Sequence, residues 1–401
     1  MAEAGRGAGA DGWRIPILLA LVAQALFTWR LGTPATMVFD EIHYVPAARA
    51  LIELSGPVNI EHPLFGKTLI ALGIKLFGDT AVGWRAMSTL AGTATIVAVY
   101  AIVLGLTGRA RAALFGGVMA IAMGTVLVQA RIAMLDGFMA ALVAAGYACL
   151  LWALKRRSFW ALWLTGAVLL GLAVGTKWAA VPYVGFACVG VLMLRGRAGF
   201  VPAVALGLVA ILVYFATFAP AFFYPSPMRL GDLIPFQFDM LDRQRQVLPP
   251  HTYQSNWWTW PIMLRPIWYL WEPVEGVQRG ILLLANPVLA WGGLVLVAVL
   301  AWRAFADRSL RLAAPVALWL GSVLVWAVIP KSLGFYYYHY PSTMWLVIVV
   351  AVAVDRLRIR RLDEWIATAA IGMAAWFWPI WTAAPQDSAG FARYAWFDSW
   401  V

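Results

Sequence analysis

Apolar stretches of about 20 residues recur along the whole chain, broken by short polar connections. That period is the signature of helices crossing a bilayer about 30 Å thick. The pattern predicts helices at about 15–32, 81–106, 110–128, 134–154, 159–175, 178–194, 199–219, 280–302, 312–329, 341–355 and 364–382, eleven spans in all. An outer-membrane barrel would need short strands of alternating polarity, which the sequence lacks. The fold class expected is an all-α polytopic membrane protein. The first apolar run has no small-residue cleavage site after it, so it reads as a retained helix rather than a signal peptide.

Composition agrees: 63% of the 401 residues are hydrophobic, 12% are charged and the mean hydropathy is +0.77. Ordinary globular chains are about 25% charged. The formal charge of +11 would suggest nucleic acid in a soluble protein, but here its placement matters more. With the N-terminus in the cytoplasm, every short inside segment is basic: Arg6 and Arg14, Arg109 and Arg111, Lys155 to Arg157, Arg195 and Arg197, Arg303 to Arg311, and Arg356 to Arg361. This follows the positive-inside rule. Cys149 and Cys188 lie within apolar runs, which argues against a disulfide.

The chain reads as one integral membrane domain, 1–401, in three parts. Residues 15–219 form a core with a long first loop at 33–80, which carries two interfacial helices at about 42–54 and 63–78. Residues 220–279 form an extracytoplasmic loop rich in Trp and Pro ("NWWTWP", "RPIWYLWEP"), and 280–382 a carboxy-terminal transmembrane block. The aromatics suit the headgroup region.

Charge is scarce, yet "VFDEIHY" places Asp40 and Glu41 side by side after the first span. The same topology brings other polar groups to that face. They are His43, Glu61, His62, Lys67 and Arg85, then Arg131 and Asp136 in "QARIAMLDG", Lys177 in "GTKWAA", and Lys331 and His339 in "PKSLGFYYYHYP". Carboxylates and cations gathered there suit a site that activates one group and holds an anion. A carboxylate at a low-dielectric boundary has its pKa raised and becomes a better general base. Cations hold phosphate oxygens and stabilise a leaving group. Each feature also has a plainer reading. The acid pair could be a solvated helix end, and Arg85 could snorkel. Arg131 and Asp136 could pair across a turn, Lys177 could anchor at the interface, and the "YYYHY" run could be an aromatic belt. No HxxxH or HExxH spacing supports a metal at His43 and His62.

The order of these motifs resembles the protein O-mannosyltransferase family. "VFDEIHYVPAARALIELSG…EHPLFGKTLIALGIKLFG" is similar to its first loop, with an Asp-Glu pair and then a His-Pro-Pro-Leu-Gly-Lys motif. "GWRAMSTLAG", "ARIAMLDGFMAAL", "GLAVGTKWAAV", "GILLLANPVLAWGG" and "GFYYYHYPSTMW" follow in the family's order, so the resemblance covers roughly residues 38–350. Two departures stand out. The motif reads "HPLFGK", with Leu64 and Phe65 replacing Pro and Leu, and 220–279 leaves no room for the luminal β-trefoil domain of the eukaryotic enzymes.

The resemblance implies a compact bacterial-type enzyme of the GT-C class in the inner membrane, with its site on the periplasmic side. It would move a sugar, mannose in the family, with inversion from a polyprenyl-phosphate carrier to a hydroxyl such as Ser or Thr of an exported protein. It implies that no cofactor or metal is required. Asp40 would be the general base and Glu41 would seat the acceptor. Arg85 would hold the carrier phosphate, with Arg131 and Lys67 in support and His62 matching the motif. Asp136 would orient Arg131, and Tyr338 and His339 would line the phosphate or sugar. This arrangement requires Asp40 and Arg85 to face each other across a pocket. The alternatives are a lipid-directed transferase resembling the lipid A aminoarabinose transferase, and a lipid-linked sugar transporter or flippase.

Overall fold

The computed structural model describes residues 13–156, 158–329, 331–387 and 389–401; Arg6 and Arg157 of the basic segments lie outside them. The chain runs through α1 (Arg14–Thr28), α2 (Glu41–Glu53), α3 (Phe65–Phe77), α4 (Ala81–Thr107), α5 (Ala110–Ala122), α6 (Gly124–Gln129), α7 (Leu135–Ala153), α8 (Phe159–Val174), α9 (Val181–Arg195), α10 (Phe200–Ala216) and α11 (Leu233–Gln244). A hairpin of β1 (Ile267–Val274) and β2 (Val277–Leu283) follows. Then come α12 (Pro287–Ala306), α13 (Leu310–Leu324), α14 (Tyr340–Leu357), α15 (Leu362–Trp381) and the short α16 (Gly390–Tyr394).

Helices stand at all eleven expected positions. Among the described residues, six stretches are long and apolar enough to cross a membrane, one of which (Trp178–Phe223) contains both α9 and α10; α1, α5 and α8 are shorter apolar helices. Outward-facing Leu21, Met193, Leu212 and Phe305 remain exposed, as a lipid-facing surface requires and a water-facing one would not tolerate. The chain is a multi-pass membrane protein.

At the centre, α4 packs against α1, α3, α5, α7 and α14, while α14 packs between α12, α13 and α5. α14 is almost wholly buried, from Tyr340 to Val354. α8 bridges α7 to the outlying α10, which in turn carries α9. α2 and α3 fold back over the end of the bundle at the start of α4. Asn286 locks the carboxy-terminal half to the core. Its side-chain oxygen caps α12 through Val288 N–H at 3.1 Å, and its amide donates to Ala122 O at 3.0 Å and Ala370 O at 2.8 Å.

Two expectations are corrected. The helix expected over 110–128 breaks at Met123, whose extended backbone (φ −78°, ψ 113°) separates α5 from α6. Gly124 there approaches so closely that a Cβ would lie 2.4 Å from Leu284 O. The helix expected from 280 begins instead at Pro287, because residues 267–283 form an antiparallel hairpin and the fold is mostly rather than wholly helical. Its two-residue turn, Glu275–Gly276, has φ of 55° and 77°, the left-handed pair that matches strand twist. Arg279 braces it, donating to Glu275 Oε2 and Ala383 O at 2.8 and 2.9 Å.

Candidate active site

The adjacent acids have different partners. Glu41 is fully buried, and its carboxylate accepts four hydrogen bonds. Arg85 Nε and Ala133 N–H reach Oε1, both at 2.8 Å; Arg85 Nη2 and Val38 N–H reach Oε2 at 2.7 and 2.8 Å. Arg85 spends its other donors on the carbonyls of Leu31, Pro34 and Thr36 at 3.2, 2.7 and 2.9 Å. All five of its N–H groups are therefore engaged. The fork geometry of guanidinium on carboxylate ties the first loop to α4 and to the α6–α7 connection.

This geometry does not fit two of the expected roles. Arg85 has no free donor for a phosphate, and Glu41 none of its carboxylate free for an acceptor. Nor do Asp40 and Arg85 face each other across a pocket as expected: Arg85 closes on Glu41, and neither residue lines the cavity described below. The other supporting cations are occupied too. Arg131 donates to Leu26 O and Phe27 O at 3.2 and 2.8 Å, satisfying the carboxy-terminal end of α1. Lys67 is fully buried and clamps the carbonyls of Val58, Asn59 and His62, holding the turn before α3. Burial pushes its ammonium down to about 7.

Asp40, half-buried at the head of α2, points elsewhere. Burial raises its carboxyl to about 6, against the pull of Lys177 and with a further push from Asp136. Tyr44 O–H donates to its Oδ2 at 3.3 Å, one turn along α2. Phe39 stacks on Tyr269 of β1, ring centroids 4.4 Å apart, so the hairpin forms one wall beside the acid.

Asp136 does not orient Arg131; it pairs with Lys177. The ammonium donates to both carboxylate oxygens, at 2.9 and 2.8 Å, in a buried bridge between α7 and the segment after α8. Asp136 sits in the first turn of α7, where the helix dipole favours negative charge. Lys177 also lies 5.1 Å from the ring centres of Tyr337 and Tyr338. Gly66 of "HPLFGK" allows this approach: a Cβ would meet Leu135 Cδ2 at 2.7 Å and Thr176 Cγ2 at 2.8 Å.

Lys177 is shared with a cavity of 870 Å³. Its body is apolar, walled by Val181, Val184, Ile211 and Phe215 of α9 and α10 with Trp326 and Ile329. Its polar end holds His62, Lys177, Arg245, Lys331 and Tyr338, with Gln237 and Gln244 of α11. Lys331 donates to Gln244 Oε1 at 3.3 Å. Burial, then repulsion from Lys177, brings the Lys331 ammonium down to about 8. Burial and the surrounding cations hold His62 neutral, and its Nδ1 has no partner among the described residues. Arg245 likewise has no side-chain partner among them. An apolar slot closed by cations fits an amphiphile with an anionic head. His339 is not on the cavity wall; it stands behind Tyr338, against Trp260 and Tyr336.

Sequence reasoning singled out Lys177 and Lys331 without giving either a role. It passed over Arg245 entirely, which in "DRQRQ" resembles any solvated charge run. Among the described residues no three His, Cys, Asp or Glu side chains cluster as metal ligands.

Comparison with known proteins bears on this arrangement. A family described as dolichyl-phosphate-mannose-protein mannosyltransferase matches residues 61–224, and one described as the C-terminal four-transmembrane region of protein-O-mannosyltransferase matches 229–400. Asp40 and Glu41 precede the first match. The chain is 26% identical to the polyprenol-phosphate-mannose–protein mannosyltransferase of Mycolicibacterium smegmatis, over 98% of this chain and 93% of that one. It is 26% identical to that of Mycobacterium tuberculosis, over 97% and 92%. Among solved structures it is similar to the S. cerevisiae Pmt1-Pmt2 protein O-mannosyltransferase complex bound to the sugar donor (TM-score 0.82, 12% identity, 97% of this chain and 92% of that). It also resembles ArnT from Cupriavidus metallidurans bound to undecaprenyl phosphate (TM-score 0.66, 18% identity, 92% and 65%). At such identities the structures speak for a shared GT-C fold. The two family matches adjoin and together run almost from the first loop to the carboxy terminus: the chain belongs to the protein O-mannosyltransferase family.

Proposed function

We propose that this protein transfers mannose from a polyprenyl-phosphate carrier to a Ser or Thr hydroxyl of an exported protein. The site would face the periplasm of a bacterial inner membrane, with the N-terminus in the cytoplasm. Family membership supports the reaction class, and the basic inside loops support the orientation. The observation that carries the mechanism is the half-buried Asp40, its carboxyl raised by burial to about 6 against the pull of Lys177; Lys177 lines the cavity, and Asp40 stands off its wall.

In this reading the isoprenoid chain lies along the apolar wall of α9 and α10. Lys331, Arg245, Lys177 and neutral His62 receive the phosphate. Asp40 removes the proton from the acceptor hydroxyl as its oxygen attacks the sugar C1. The C1–O bond to phosphate breaks on the opposite face, which inverts the anomeric centre, and the carrier phosphate leaves with the bonding pair. A phosphodiester is a good leaving group, so cationic stabilisation does more than a general acid would. The step is routed through the chain's own cations and through no metal. The Asp136–Lys177 bridge holds the ammonium between base and phosphate, while Glu41 and Arg85 set the loop from which Asp40 projects.

The test uses purified protein, radiolabelled polyprenyl-phosphate mannose, a Ser/Thr-containing peptide and a lipid A acceptor. Label on the peptide supports the proposal. Label on lipid alone would favour the ArnT-like alternative, which rests only on a shared fold.

A further inference from the structure

A second cavity, of 640 Å³, lies between the start of α5, the end of α14 and the start of α15. α4 runs 27 residues between the Arg85 end and this one, or roughly 40 Å, so the cavity belongs to the opposite membrane face. Five arginines line it, Arg109, Arg111, Arg358, Arg360 and Arg361, against three acids, Asp355, Asp363 and Glu364.

The acids are already paired. Arg109 meets Asp355 at 3.1 Å, Arg111 meets Asp363 at 2.5 Å and Glu364 at 2.7 Å, and Arg361 meets Glu364 at 3.7 Å. Arg358 and Arg360 have no side-chain partner among the described residues. They sit on the α14–α15 turn, which is bracketed by left-handed Arg358 (φ 53°) and Arg361 (φ 59°). Non-glycine residues adopt that conformation at a cost, and it persists where surrounding structure imposes it. The cavity floor is apolar: Ala112, Phe115, Ala351 and Val354.

Its surroundings mark the bilayer boundary. Trp365 and Ile359 are 69% and 57% exposed beside the charged lining. Trp302 and Phe305 project from the end of α12, which the Arg356–Asp307 pair ties to α14. Aromatic side chains of this kind settle at headgroup level, and basic pockets between membrane helices hold phosphate headgroups.

We propose that this cavity is a binding site for the phosphodiester headgroup of an anionic phospholipid, with Arg358 and Arg360 as its ligands. The pairs around Arg109, Arg111 and Arg361 fix the walls, and the apolar floor takes the first atoms of the acyl chains. The site is separate from the transferase cavity and does not rest on the proposed reaction.

The test is native mass spectrometry of the full, delipidated protein, titrated with phosphatidylglycerol or with phosphatidylcholine of the same chains. Two unpaired arginines predict a preference for phosphatidylglycerol of about 10- to 30-fold. The double variant Arg358→Ala/Arg360→Ala abolishes it, while Arg195→Ala/Arg197→Ala, which removes equal charge elsewhere, retains it. Arg358→Gln alone leaves every ion pair in place and cuts the preference several-fold, which serves if the double variant does not accumulate. Equal binding of the two lipids, equal loss in both double variants, or an unchanged Arg358→Gln would overturn the proposal. Competition by sn-glycerol 3-phosphate at the lipid's own concentration would do so as well, because it marks a site for soluble anions.

Discussion

Arg85→Lys separates a framework role from a phosphate-binding one. Lysine keeps the charge but has three donors where arginine places five, all engaged in the structure. The substitution leaves at least two of the five acceptors, the Glu41 carboxylate oxygens or the loop carbonyls, without a side-chain donor inside the core. Charged hydrogen bonds are worth about 1.5–3 kcal/mol each, and breaking a buried ion pair costs about 3–5 kcal/mol. We expect a loss of stability in that range, seen as a fall in Tm of several degrees for the detergent-solubilised protein. The carrier's Kd should change little in the fraction that stays folded. The assay pairs thermal unfolding, followed by tryptophan fluorescence, with binding of polyprenyl phosphate at a temperature below the transition. A variant with unchanged Tm and carrier binding weakened tenfold or more would refute the reasoning and return Arg85 to the phosphate.

Other outcomes follow from the same geometry. The pH profile of kcat/KM should rise through about 6 as Asp40 loses its proton and fall above about 8 as Lys331 loses its own; a profile flat from 5 to 9 would count against both assignments. Lys331→Ala should raise the donor KM about 10- to 100-fold, the worth of one charged contact, with kcat nearly kept; an unchanged KM would remove Lys331 from the phosphate site. Gly66→Ala inserts a methyl against Leu135 and Thr176, the neighbours of Asp136 and Lys177. It should cost about 1–3 kcal/mol and lower kcat, and wild-type turnover would show that the bridge tolerates displacement.

The membrane helices were legible because a 20-residue apolar run has few other uses, and α2 and α3 because their patterns are amphipathic between polar breaks. The hairpin was not. Its second strand, "VQRGILL", merges with the apolar run of α12, and only Glu275–Gly276 between β-favouring residues signals a turn. The acid pair stands out in the sequence, yet spacing alone does not tell which carboxylate faces the core. That depends on Ala133 N–H and on Arg85, 92 and 44 residues away. Arg131 and Asp136 are near in sequence, which made a local pair attractive; the preferred partner of Asp136, Lys177, lies 41 residues on. Resemblance orders the motifs along the chain, but only the fold separates charges that hold backbone from charges that face a cavity.

The most direct test is single-turnover transfer by Asp40→Asn with donor binding measured on the same preparation. Asparagine keeps the size of the side chain and removes the base. The rate should fall by about 10²- to 10⁴-fold, with carrier affinity within a few-fold of wild type and Tm unchanged. Full turnover in that variant would contradict the assignment of Asp40 as the proton acceptor, and with it the reading of this cavity as the place where the sugar is transferred.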